Sequence, residues 1–117
     1  MGHAPVSIGV VPDALAERTI GRPFAYLITV GPEGAPHLLA VRVEVRGSTV
    51  RCASVGSTGR GNVERTARAT LLWPPIDATV TSNDEHRAYS LIADGTAGLE
   101  GEIVVVNAER AVLHRPA

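Results

Sequence analysis

Val41-Arg42-Val43-Glu44-Val45-Arg46-Gly47-Ser48-Thr49-Val50-Arg51-Cys52-Ala53-Ser54-Val55 is the stretch on which the reading of this 117-residue chain turns. Its first six residues alternate valine with charge, so Val41, Val43 and Val45 share one face while Arg42, Glu44 and Arg46 share the other. Successive side chains of an extended backbone point to opposite sides, and opposite chemistries at period two mark a half-buried antiparallel strand. Gly47-Ser48 supplies a tight reversal, and Thr49 to Val55 returns as the next strand.

Working outward, the first of these strands starts at His37. It is preceded by the turn-rich Gly31-Pro32-Glu33-Gly34-Ala35-Pro36 and, before that, by the β-branched and aromatic run Phe24 to Val30. Three strands joined by short loops make a meander. Upstream, residues 12–20 predict a short helix with Pro12 and Asp13 in its first turn and Gly21 at its end. Downstream, Gly56-Ser57-Thr58-Gly59-Arg60-Gly61 reads as a glycine-rich loop, followed by a helix from Asn62, as N-cap, to Ala69. Ala69 to Trp73 predicts a fourth strand stopped by Pro74-Pro75. Residues 76–86 read as a strand end and an exposed polar connection, and Ala88 to Ala97 and Gly101 to Asn107 as the fifth and sixth strands. Residues 108–117 are expected to dock as a tail against the barrel or a partner chain. The expected architecture is mainly β: a six-stranded antiparallel barrel with two short helices, residues 1–117 forming one domain.

Composition narrows the partners. Aromatic residues are only 3% of the chain, too few for a platform that stacks nucleobases, and the net charge of −1 gives no general attraction to nucleic acid or anionic membranes. All eleven basic residues are arginine, so any anion site must use guanidinium or backbone N–H groups. The single cysteine, Cys52, excludes an intrachain disulfide and a cysteine-rich zinc site, and its apolar surroundings predict a buried structural thiol. No stretch approaches the ~18 apolar residues of a membrane span, and no leader is expected, which places the chain in the cytoplasm. His37, His86 and His114 lack ligand spacing, so no metal site is expected.

The segment from Gly56 to Gly61 has the parts of a phosphate cradle. Its glycines allow close backbone approach, Ser57 and Thr58 carry hydroxyls, Arg60 carries a guanidinium, and a helix follows with free N–H groups. The same composition also suits an ordinary connection chosen for turn geometry. It is not a Walker loop, because the lysine is missing and the glycine spacing differs. Arg42 and Arg46 project from the polar face of the neighbouring strand, either toward this loop or into solvent.

The order and spacing of four stretches resemble the pyridoxamine 5'-phosphate oxidase-like, flavin-binding split-barrel family in its short bacterial form. The first is the helix over 12–20, Arg22-Pro23, the strand Ala25 to Val30 and Gly34-Ala35-Pro36-His37. The second is Ser57-Thr58-Gly59-Arg60 with Asn62-Val63-Glu64-Arg65-Thr66-Ala67-Arg68-Ala69-Thr70-Leu71. The third is Tyr89 to Ala97, with its Gly95-Thr96-Ala97 step, and the fourth is Leu113-His114-Arg115-Pro116. The resemblance implies a split barrel working as a homodimer, with two flavin sites at the subunit interface. It assigns phosphate binding to Arg42, Ser57, Thr58 and Arg60, sets Ser54 and Val55 beside the isoalloxazine, and lets Trp73 shield the ring from across the interface. The implied cofactor is FMN. Gly59-Arg60-Gly61 stands where many members have two consecutive basic residues, and the loop is one residue short, which leaves a deazaflavin coenzyme, haem or no cofactor as alternatives. The implied activity is a flavin- or deazaflavin-dependent oxidoreductase acting on a small organic substrate, because in flavin chemistry the cofactor carries the difficult step. The alternatives are a non-catalytic store, sensor or carrier of the cofactor and a cofactor-free dimeric barrel. The substrate-binding extension of true pyridoxamine phosphate oxidases is absent, so that reaction is not expected.

Overall fold

The computed structural model describes residues 5–79 and 86–116. Its strands are β1 (Ser7–Val10), β2 (Ala25–Val30), β3 (Pro36–Val41), β4 (Val43–Arg46), β5 (Thr49–Cys52), β6 (Arg68–Trp73), β7 (Ser90–Glu100) and β8 (Ile103–His114). They form one antiparallel sheet in the order β3-β2-β6-β7-β8-β5-β4, with β1 added to β8. The two edges of that sequence, β3 and β4, are consecutive pieces of one extended run that breaks only at Arg42. The sheet therefore curls until its edges are joined covalently, which is a split barrel, and Arg42 stands at the corner.

The predicted alternation holds on both sides of the break: Val41 is buried and Val43 and Val45 half-buried, while Arg42, Glu44 and Arg46 are exposed. Gly47 turns the chain with φ of 58°, a left-handed conformation that a side chain disfavours. The interior is filled by residues from every strand, with β4 adding only the half-buried Val43 and Val45; Leu27, Val50, Leu71, Leu91, Val104, Val106 and Leu113 are wholly or almost wholly enclosed, and Trp73 is the largest side chain among them.

Four expectations are revised. The helix over 12–20 is a 3-10 turn (Pro12–Ala14) leading into one helical turn, α1 (Leu15–Arg18), because only Leu15 is buried there. The glycine-rich loop is not a loop. Helix α2 runs Ser57–Thr66 with Gly56 at its N-cap and ends at Ala67, which takes φ of 54°. Asn62, expected as the cap, lies buried in mid-helix, where its Nδ2 donates to Thr29 Oγ1 at 3.1 Å and its Oδ1 accepts from Arg65 at 3.2 Å. The tail from Ala108 is the second half of β8, pairing with both β7 and β1. Part of the 76–86 connection, residues 80–85, lies outside the described residues.

Helix α2 starts early for a steric reason. Gly59 faces the core so closely that a Cβ there would meet Val55 Cγ1 at 2.8 Å. The glycine serves helix-to-core packing, with Gly59, Asn62 and Val63 forming the buried stripe.

Cys52 is fully buried on β5, and burial pushes its thiol pKa up to about 12. Since the unfolded thiol titrates near 9.0, the folded state holds a proton that the unfolded state loses in between. Stability is therefore expected to fall by about 1 kcal/mol per pH unit above pH 9 from this residue alone. Urea titrations of the native chain and of Cys52→Ala at pH 8 and pH 10 check this. The slope should be shallower in the variant, and Cys52 should react with a thiol reagent only after unfolding.

A candidate phosphate and cofactor cleft at the β3–β4 corner

Arg42 and Ser54 come together. With Ala40, Val41 and Ala53 they line a cleft of 250 Å³ at the barrel corner. Arg42 is exposed, and no ion pair or hydrogen bond holds its guanidinium among the described residues. Arg46, the other arginine of that face, is bound to Glu44 at 2.8 Å on the open surface and takes no part. Ser54 adopts φ of 61°, a conformation rare for a residue with a side chain and one that costs on the order of 1 kcal/mol. That strained residue redirects the chain from β5 into α2.

Three residues further on, α2 begins. Its first-turn N–H groups at Ser57, Thr58 and Gly59 find no acceptor among the described residues, and the first helical bond is from the Arg60 N–H to the Gly56 carbonyl at 3.1 Å. Ser57 and Thr58 are exposed, so their hydroxyls and N–H groups face solvent at the positive end of the helix dipole. Arg60 is half-buried and turned back, its Nη1 donating to the Val55 carbonyl at 2.6 Å. That bond fixes the bend between Ser54 and the helix while keeping a positive charge beside the first turn.

The other two predicted residues are placed differently. The Val55 side chain is buried against Gly59, and Val55 does not line the cleft. Trp73 is fully enclosed on β6, with its indole N–H unpaired, and stands apart from this group within the chain. His37, which sequence reading left without a role, comes close to the site. Its Cε1 lies 4.0 Å from where a Gly59 Cβ would be. The pairing of His37 with Thr29 across β3 and β2 sets that position, together with the Asn62–Thr29 bond that anchors α2. No local motif in the sequence announces it.

Chemically, the donor set suits a phosphate. It offers backbone N–H groups, the three hydroxyls of Ser54, Ser57 and Thr58, the unpaired guanidinium of Arg42 and the guanidinium of Arg60 held against the Val55 carbonyl. Among the described residues no cluster of His, Cys, Asp or Glu could hold a metal ion.

Comparison with known proteins extends this picture. No family model matches the chain. An uncharacterized protein of Mycobacterium tuberculosis and one of Mycobacterium bovis are each 36% identical over 84 residues, covering 64% of this chain and 54% of the relative. The chain thus spans about half the length of the curated relatives it matches. The crystal structure of a conserved hypothetical protein from Mycobacterium tuberculosis superposes with a TM-score of 0.68 at 15% identity, over 97% of this chain and 90% of that one. By fold, this chain is a split barrel. A FAD-binding protein from Mycobacterium smegmatis shares the split barrel with a TM-score of 0.62 at 13% identity, over 95% and 99% of the two chains. An F420 reductase does so with 0.55 at 15% identity, over 86% and 93%. The pairing is the expected meander enlarged by β1 and by the division of the expected strand over 37–46 into β3 and β4, giving eight strands in place of six. Among the described residues no helix is long and apolar enough to cross a membrane.

Proposed function

We propose that the chain binds a flavin-type cofactor through its phosphate, FMN or a deazaflavin coenzyme, and acts as an oxidoreductase on a small organic substrate at the interface of a cytoplasmic homodimer. What supports the reading is the corner cleft lined by unpaired Arg42 and strained Ser54, with the uncapped first turn of α2 following three residues after Ser54. Ser57 and Thr58 with their N–H groups bind phosphate oxygens, Arg42 neutralises the charge from the barrel corner, and Arg60 holds the bend. Bound there, the cofactor supplies hydride or electron-pair transfer, so the protein's task is to bind, orient and exclude water.

A second chain is part of this reading, because the outer face of the sheet carries an apolar row. Ala40, Tyr26, Leu72, Ile92 and Val112 follow one another in register across β3, β2, β6, β7 and β8. All lie opposite the buried row, and a contiguous apolar stripe of this kind on a small protein supports a partner surface. The neighbouring row, Leu38, Ile28, Thr70, Asp94 and Arg110, ends in an Asp94–Arg110 pair at 3.0 Å that would set the rim.

The test is a titration of the purified full chain with FMN, FAD, a deazaflavin coenzyme and haem, read by absorbance and sedimentation. One flavin-type ligand should bind to a dimer. Haem as the only ligand, or none at all, overturns the proposal. Arg42→Ala is expected to weaken binding by about 1–3 kcal/mol, the loss of one charge-assisted bond, without shifting the urea midpoint. Arg60→Ala should weaken binding similarly and also cost stability, because it frees the Val55 carbonyl. Reduction of the bound cofactor by a nicotinamide and reoxidation by an added acceptor separate an oxidoreductase from a carrier.

A further inference from the structure

A second concentration of charge lies at the α1 side of the barrel. Arg22 is only 8% exposed. Its Nε donates to the Arg18 carbonyl at 3.2 Å, Nη1 to those of Pro74 at 3.0 Å and Tyr89 at 2.7 Å, and Nη2 to that of His86 at 3.3 Å. A guanidinium has five N–H donors, so one on Nη2 is left over. No carboxylate pairs with it among the described residues. Carbonyl oxygens satisfy its hydrogen bonds but leave its net charge uncompensated. Beside it, Arg18 Nη1 approaches His86 Nδ1 at 3.3 Å. Arginine can only donate, so this contact requires a neutral imidazole with its proton on Nε2. Burial, then the charges of Arg18 and Arg22, hold the His86 pKa below its ordinary 6.5 and keep it so. His86 also adopts φ of 56°.

These three side chains line a cleft of 360 Å³ whose apolar wall is Ile20, Ile76 and Leu113. Ile20 is 76% exposed, an unusual position for a large aliphatic side chain beside two arginines. Glu17 is the carboxylate of the lining among the described residues, where two guanidinium groups face one acid. None of these residues belongs to the cleft at the β3–β4 corner.

We propose that this cleft binds a small organic carboxylate. The anionic head lies on Arg18, the spare Arg22 N–H and His86 Nε2–H, and the apolar body covers Ile20 and Ile76. Carboxylate geometry matches the guanidinium fork, and an apolar wall next to the cations selects against a bare inorganic anion. The volume is near the lower end of the range for small-molecule pockets, which fits a single-ring or short-chain acid and excludes a dinucleotide.

The experiment titrates the full chain with sodium benzoate, benzyl alcohol and inorganic phosphate, following the Ile20 and Ile76 methyl signals and the arginine Nε–H signals by NMR. Benzoate is expected to shift them saturably, with benzyl alcohol and phosphate each binding at least about tenfold more weakly. Arg18→Gln should lower benzoate affinity about tenfold. Glu17→Gln, an exposed change independent of the fold, should tighten benzoate about two- to threefold by removing the opposing charge. Equal binding of the alcohol or of phosphate, benzoate affinity unmoved by Arg18→Gln or weakened by Glu17→Gln, or no saturable shift overturns the assignment.

Discussion

Gly95→Ala is expected to destabilise the protein by about 3 kcal/mol or more, a large part of the 5–15 kcal/mol that holds a domain of this size together. Gly95 sits at the irregularity where β7 and β8 slip register: Asp94 pairs with Arg110, but Gly95 pairs with Ala108. A Cβ at Gly95 would stand 1.9 Å from the Asn107 carbonyl oxygen, 2.8 Å from its carbon and 3.0 Å from Ala108 Cα. All three are backbone atoms of the central hairpin, so no side chain can swing aside and the two strands must part. The long pairing of β7 with β8 carries β1 and β5 on its far side, which spreads the displacement through the sheet. Gly98→Ala is the control, because a Cβ there meets nothing within 4 Å. Urea unfolding of both should give a large loss for the first and a change within about 0.5 kcal/mol for the second. Equal midpoints would show that the bulge opens without cost.

Arg22→Leu is expected to cost about 3–5 kcal/mol. The substitution keeps apolar bulk but leaves the carbonyls of Arg18, Pro74 and Tyr89 without their donor and that of His86 with the Tyr89 N–H alone. Those four groups come from the end of α1, the residues after β6 and the entry to β7, so one guanidinium ties three segments that are distant in sequence. Burial, and secondly the nearby Arg18, lower the Arg22 pKa, yet an arginine stays charged throughout the accessible range. The stabilisation should accordingly show no pH dependence of its own between pH 5 and pH 9. Arg22→Lys should recover only part of the loss, since an ammonium cannot span the same fork. A loss below about 1 kcal/mol for Arg22→Leu, measured by the urea midpoint, would mean that water replaces the guanidinium at these carbonyls.

The local rules of chain geometry determined the greater part of this fold. Alternation from Val41 to Arg46, the Gly47-Ser48 reversal and the proline–glycine punctuation before β3 are encoded within a few residues, because strand period and turn conformation depend on neighbouring dihedrals and side-chain polarity alone. The candidate phosphate cleft was legible in the same way, as hydroxyls and an arginine placed where a strand gives way to a helix. Tertiary structure decided the rest. Glycines at 59 and 61 look like loop residues until Val55 is seen to press on Gly59, and Asn62 looks like a cap until Thr29 is found to accept its amide proton. Ala108 to His114 lacks a clean pattern because one side of β8 meets β7 and the other meets β5 and β1. The roles of Gly95 and Arg22 rest on contacts with Asn107, Pro74 and Tyr89, and no period or propensity reports which distant backbone atoms a residue will meet.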